Sequence, residues 1–114
     1  MNKHRKKKGL APLESNFIIT SEARRHTMEM ATRRVPFGHN GIAYRSKFIR
    51  TKIPGVNAVA ENVAYGSQSA EGVVAGWLNS AGHKKNIEGK YRITGIGVAR
   101  DVKSQLYFTQ IFAD

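Results

Sequence analysis

Ala60-Glu61-Asn62-Val63-Ala64-Tyr65-Gly66 is the stretch whose reading decides the fold. Apolar residues alternate through Val56, Ala58 and Ala60 and resume at Val63 and Tyr65, the period of a strand or extended turn entering a core. Glu61 interrupts that pattern. A carboxylate set among Ala60, Val63 and Ala64 needs a charged partner, hydrogen bonds from loop amides, or a raised pKa.

Upstream of this stretch, Asn16 to about Arg34 reads as a helix. Asn16 or Ser15 can cap its open N–H groups, and Ile19, Ala23, His26 and Met30 form one apolar stripe at spacings of four, three and four. A histidine on such a stripe reads as a hydrogen-bonded core residue. Arg34-Val35-Pro36 ends the helix, because the residue before proline disfavours the α region, and Phe37-Gly38-His39-Asn40-Gly41 follows as a turn. His39 is thereby placed on a loop. A second helix is predicted over Ile42 to Lys52, with Tyr44, Phe48 and Ile49 inward, before Pro54-Gly55 breaks it.

Downstream, Ser69 is a good N-cap for a helix of about Ala70 to Ser80 that buries Val73, Val74, Trp77 and Leu78, with Gly82 just past its end and Lys84-Lys85-Asn86-Ile87 as a loop or short helix. Tyr91 to Ala99 and Gln105 to Phe112 read as two strands joined by the five-residue connection Arg100 to Ser104. Gly95 and Gly97 weaken the first strand unless another backbone packs close, which predicts a crowded sheet centre. Helices on both faces of an antiparallel sheet make an α+β, three-layer α-β-α sandwich.

Composition bounds the rest. At 114 residues the chain is one domain that needs no disulfide to fold, consistent with its zero cysteines, and a cysteine-free chain fits either the cytosol or a bacterial secreted protein. Nineteen Lys and Arg against eight Asp and Glu give a formal charge of +11. Five of those basic residues sit in Lys3-His4-Arg5-Lys6-Lys7-Lys8, so about +6 remains without them. Such a chain adheres to polyanions by counterion release whatever its role, and no aromatic residues interleave with the charges as a base-stacking surface requires. A specific nucleic-acid function is not expected. No apolar run reaches the length of a membrane helix, and the start lacks the pattern of a signal peptide.

The Glu61 stretch, the loop Phe37-Gly38-His39-Asn40, the segment Trp77-Leu78-Asn79-Ser80-Ala81-Gly82-His83 and the terminal Tyr107-Phe108-Thr109-Gln110-Ile111-Phe112 together resemble the CAP superfamily, and its bacterial branch most of all. This domain is shared by cysteine-rich secretory proteins, insect venom antigens and plant pathogenesis-related proteins. The resemblance implies the same three-layer sandwich. It also implies that residues 1–9 are the basic remnant of a first helix, part of which is lacking, ahead of a single domain over 10–114. Further implications are a monomer, a secreted or cell-envelope location whose export signal is not in this chain, and a central cleft holding His39 and Glu61. The eukaryotic pattern has a glutamate and a histidine where this chain has Ser80 and Tyr107, so His83 is the candidate second cleft histidine.

Imidazole nitrogen and carboxylate oxygen are zinc ligands, and His39, Glu61 and His83 are the candidate set for zinc or calcium. The 22-residue intervals between them identify nothing by themselves, since no single helix or hairpin spans them. Glu71 could supply a second carboxylate, or simply complement the dipole of the helix it opens. His83 could cap a helix C-terminus, where the negative pole favours its protonated form and Lys84-Lys85 oppose it. Asn62, Ser80, Asn86 and Tyr107 complete the expected lining of the cleft. The expected role is a binding module for a metal ion and an extracellular, envelope or small lipid-like ligand. The alternatives are a metal-assisted hydrolase with Glu61 as base and, last, a polyanion-binding protein. There is no cysteine, no Gly-x-Ser-x-Gly, and no recognisable relay for Ser80 to support a covalent route.

Overall fold

The computed structural model describes residues 1–114. Its elements, in chain order, are α1 (Asn2–Lys7), β1 (Glu14–Ser15), α2 (Phe17–Ala31), α3 (Ile42–Lys52), β2 (Val59–Tyr65), α4 (Ala70–Leu78), α5 (Ala81–Ile87), β3 (Ile93–Arg100) and β4 (Leu106–Ala113). The sheet order is β1-β3-β4-β2. Strands β2, β3 and β4 pair antiparallel, as expected, and the two-residue β1 adds a short parallel edge.

Side-chain alternation assigns the two faces. Ile93, Ile111 and Ala113 pack with Ile19 and Ala23 of α2 and Ile49 of α3, and Val63 and Tyr107 pack with Met30 and Ala31. On the opposite face Phe108 and Phe112 meet Val73 and Trp77 of α4, Ile87 of α5 and Leu13. Helices therefore cover both faces, and the three-layer α+β sandwich follows from two apolar stripes meeting one two-sided sheet.

The caps sit where the residue types favour them. The Asn16 side chain accepts from the Ile19 N–H, and the Ser69 hydroxyl accepts from Gly72. Helix α3 has the predicted bounds but a different inner face: Arg45 and Ile49 are buried while Tyr44 is exposed. The end of α4 also differs. Gly82 does not stop that helix; the chain breaks at Asn79-Ser80 and Gly82 lies inside a new helix, α5. The basic start is folded as well. Arg5 is 1% exposed and donates to the carbonyls of Ala11, Ile87, Gly89 and Tyr91, fastening α1 to the turn after α5.

Gly95 and Gly97 lie where α2 crosses β3. A Cβ at Gly95 would stand 2.2 Å from the Thr20 nitrogen, and one at Gly97 would stand 2.5 Å from the Ala23 oxygen. Backbone cannot move aside as a flexible side chain can, so helix and strand approach only because both positions lack a side chain. Alanine at either site is expected to cost about 3 kcal/mol or more, the upper end for overpacking. Gly76, in α4 with open space around it, should instead gain about 0.5–1 kcal/mol as alanine. Urea unfolding of the three variants checks both signs, and a tolerated Gly95→Ala would show that α2 is free to lift off the sheet.

Candidate functional site

Glu61 is the third residue of β2, an edge strand, and points toward the α2–α3 layer. Its side chain is 1% exposed and its partner is the equally buried Arg45 of α3. Arg45 Nε donates to Oε2 at 2.7 Å and Nη2 to Oε1 at 2.8 Å, a two-pronged pair that supplies the counter-charge this carboxylate needs. The same guanidinium donates to the Asn40 carbonyl at 2.8 Å through Nη1. The pair thus anchors the loop that carries His39.

His39 Nδ1 lies 2.9 Å from Glu61 Oε1, with the ring about half exposed. A carboxylate held by a guanidinium can only accept, so the imidazole proton belongs on Nδ1 and the Nε2 lone pair faces away from the core. His26 supports this loop from below. It is wholly buried, its Nε2 donates to the Gly38 carbonyl at 2.7 Å, and the same nitrogen is 3.9 Å from Glu61 Oε1. Its Nδ1 has no partner, the expected state of the non-protonated nitrogen in a neutral ring.

The other face of β2 holds the second histidine. Asn62 is fully buried, donates to the His83 carbonyl at 3.1 Å, and accepts from Asn86 Nδ2 at 2.9 Å. Trp77 Nε1 donates to the Val63 carbonyl at 3.0 Å, and its ring centroid is 6.3 Å from that of His83. His83 is in the first turn of α5, not beyond the end of α4, so the nearby pole of its own helix is positive. Burial, and then the charge of His39, hold its pKa below the usual histidine value. The two histidines therefore feel each other across the edge strand, one delivered by each helical layer.

The structure brings His39 against Glu61 on one face of β2 and Asn62 against the His83 backbone on the other, with Ser80 at the N-cap of α5. Glu71 is elsewhere, exposed on the first turn of α4 beside Met1, Lys3, His4 and Lys7. Tyr107 shares the Glu61 face but pairs with Tyr65, four residues along β2, about 13 Å away. No three His, Cys, Asp or Glu side chains are arranged to hold a metal ion, so the expected set of His39, Glu61 and His83 does not form a coordination group. The reason is local: the Glu61 oxygens are occupied by Arg45 and His39. Arg45 and His26 are the site residues that sequence reasoning left out of the cleft. Arg45 was discoverable as a basic residue four positions before the buried Ile49.

His26 also sets an acid limit on the fold. Burial is the largest influence on it and lowers its pKa from 6.5, aided by Arg45 and opposed by the Gly38 hydrogen bond and Glu61. The unfolded chain therefore takes up a proton on acidification before the folded chain does. Stability is complete above about pH 6.5 and is lost as the pH falls toward the depressed folded value. His83 acts in the same direction. Urea midpoints are expected to drop between about pH 7.5 and 5 and to drop less in His26→Asn; equal slopes in the two proteins would refute the assignment to His26.

Comparison with known proteins agrees with this architecture. The Bacillus subtilis (strain 168) protein YkwD is 36% identical over 113 residues, covering 97% of this chain and 43% of that protein. The chain thus spans less than half the length of that relative. An extracellular protein containing an SCP domain from Bacillus anthracis superposes with a TM-score of 0.81 at 26% identity, over 97% of this chain and 36% of the other. An outer surface protein of Borrelia burgdorferi shares the fold at a TM-score of 0.81 and 22% identity, over 99% and 85% of the two chains. The model of the cysteine-rich secretory protein family, CAP, matches residues 1–112, and the chain belongs to that family.

Proposed function

We propose that this chain is an extracytoplasmic binding domain, not a hydrolase, whose recognition centre is the imidazole pair His39 and His83 at the edge of β2. The orientation of His39 carries this reading. Glu61 fixes the ring through Nδ1, Arg45 fixes Glu61, and the outward Nε2 is left as a ready donor of its lone pair. A carboxylate behind a histidine is the arrangement that orients a metal-binding imidazole, which makes Glu61 a supporting group and not a ligand.

Two imidazoles suit zinc, whose remaining positions are left to water or to a ligand from the extracellular or envelope side. Calcium fits poorly, because it requires six or more oxygen donors and the one carboxylate here is already engaged. Glu61 is equally unsuited to act as general base: a base must touch the water it activates, and this side chain is 1% exposed. A lipid-like ligand has a separate place to rest. The groove between α1 and α4, about 470 Å³, is lined by Met1, Val74 and Leu78 together with Lys3, Lys7 and Glu71. The location outside the cytoplasm is proposed by likeness to the extracellular Bacillus anthracis protein.

Calorimetric titration of chelator-treated protein with zinc tests the centre. We expect one saturable event that is abolished in His39→Ala and in His83→Ala, and that weakens on acidification as protons compete for the nitrogens. Uptake indifferent to both substitutions would defeat the proposal. Chelator-sensitive turnover of a peptide library would restore the hydrolase.

A further inference from the structure

Beyond the imidazole pair, the Glu61 face of the sheet ends in an aromatic groove that the proposed centre does not use. Phe37 and Tyr65 meet edge to face at 4.8 Å between centroids, and Tyr65 stacks on the buried Tyr107 at 5.5 Å. Phe37 and Tyr65 nevertheless remain about half exposed. The groove they wall, about 660 Å³, is completed by Val35 and Pro36, with Arg33 and Gln105 as its polar members. Large aromatic side chains left open together, and not singly, are the mark of a surface that takes a partner.

Arg33 supplies an independent observation. It follows the C-cap residue Thr32 of α2 with φ of 62°, in the left-handed region, and the Arg34 N–H behind it closes onto the Glu29 carbonyl. This is the position at which helices use glycine, because any Cβ is disfavoured there. The sequence holds an arginine at that strained position, and the side chain it gains lines the groove.

The chemistry of the lining selects the occupant. No carboxylate is among the lining residues; Arg33 offers only donors, while Gln105 and the Tyr65 and Tyr107 hydroxyls each offer donors together with an acceptor oxygen. Donors thus outnumber acceptors along the groove. A polyproline II segment is the complementary case: it has no internal hydrogen bonds, so its carbonyls are all free to accept, and its pyrrolidine rings pack on aromatic walls. Such a segment is also stiff before it binds, so little ordering entropy is lost.

We propose that the groove walled by Phe37, Tyr65 and Tyr107 binds an extended, proline-rich peptide segment, with Arg33 and Gln105 donating to its carbonyls. The interaction is independent of the histidine pair. The test is an amide-resonance titration of the ¹⁵N-labelled full chain with blocked decaproline, with a Gly-Ser peptide of equal length and an N-acetylglucosamine trimer as comparison arms. Saturable shifts confined to the segments around Phe37, Tyr65 and Gln105 are expected with decaproline alone. Tyr65→Ala should weaken it about tenfold or more. Arg33→Gly should weaken it about three- to tenfold while leaving the thermal midpoint unchanged or higher, since glycine relieves the left-handed strain. Protein pretreated with a metal chelator should bind decaproline as the untreated protein does. Failure of decaproline to saturate, shifts of equal size with the Gly-Ser peptide, binding of the sugar alone, or Arg33→Gly and Tyr65→Ala both binding at full strength would each overturn the proposal.

Discussion

The buried pair of Arg45 and Glu61 is the constraint on which the rest of the site depends. Removing two charges from water is costly, and their attraction offsets that cost only when geometry is good and the remaining donors and acceptors are filled. Both conditions hold. The guanidinium meets the carboxylate through two nitrogens and spends a third on the Asn40 carbonyl, while His39 occupies the carboxylate edge that remains. The 36–41 loop and the helix α3 that follows it are thereby locked to the remote strand β2 by one network. Neither partner is dispensable, because either alone would be an uncompensated charge in the interior.

That network works only because the sheet around it is rigid. Glycines 95 and 97 let α2 lie directly on β3, which brings His26 under the loop and lets it hold the Gly38 carbonyl. On the far face, Trp77 and Asn86 cover outward carbonyls of β2, at Val63 and Glu61, so the strand is not an open template for another chain. The same covering positions α5 and hence His83. An edge strand is a suitable place for a binding centre, since it is where side chains from two layers can reach a common opening without crossing the sheet.

What was legible in the sequence was what local physics decides. The caps Asn16 and Ser69, the bounds of α3, the paired strands and the significance of Gly95 and Gly97 follow from residue type and period, and the structure has them there. What was not legible was decided at long range. Gly82 looked like a helix stop because glycine usually is one, yet Ser80 starts α5 before it, and docking of Ile87 into the core stabilises a helix too short to persist alone. Arg45 carries no signal of its pairing in the sequence, because only the position of Glu61 across the fold gives it a partner. His39 and Glu61 were found to meet, but their mode of meeting, through a hydrogen bond and not a shared ion, depended on a third residue.

Arg5 and Arg45 also change what the strong basic balance means. A formal +11 suggests a surface organised for polyanions, but Arg5 and Arg45 are 1% and 2% exposed and serve as interior hydrogen-bond hubs, and Arg25 is paired with Glu22 at 2.7 Å. Arginine suits such positions because its planar fork can satisfy several carbonyls at once and is more weakly hydrated than an ammonium group. Arg5 binds three backbone carbonyls around the α5–β3 turn and a fourth at Ala11, a task that lysine, with a single nitrogen, could not perform. Arg33, exposed and held in a conformation that glycine prefers, has no such structural task, and that contrast is why its side chain is assigned to recognition.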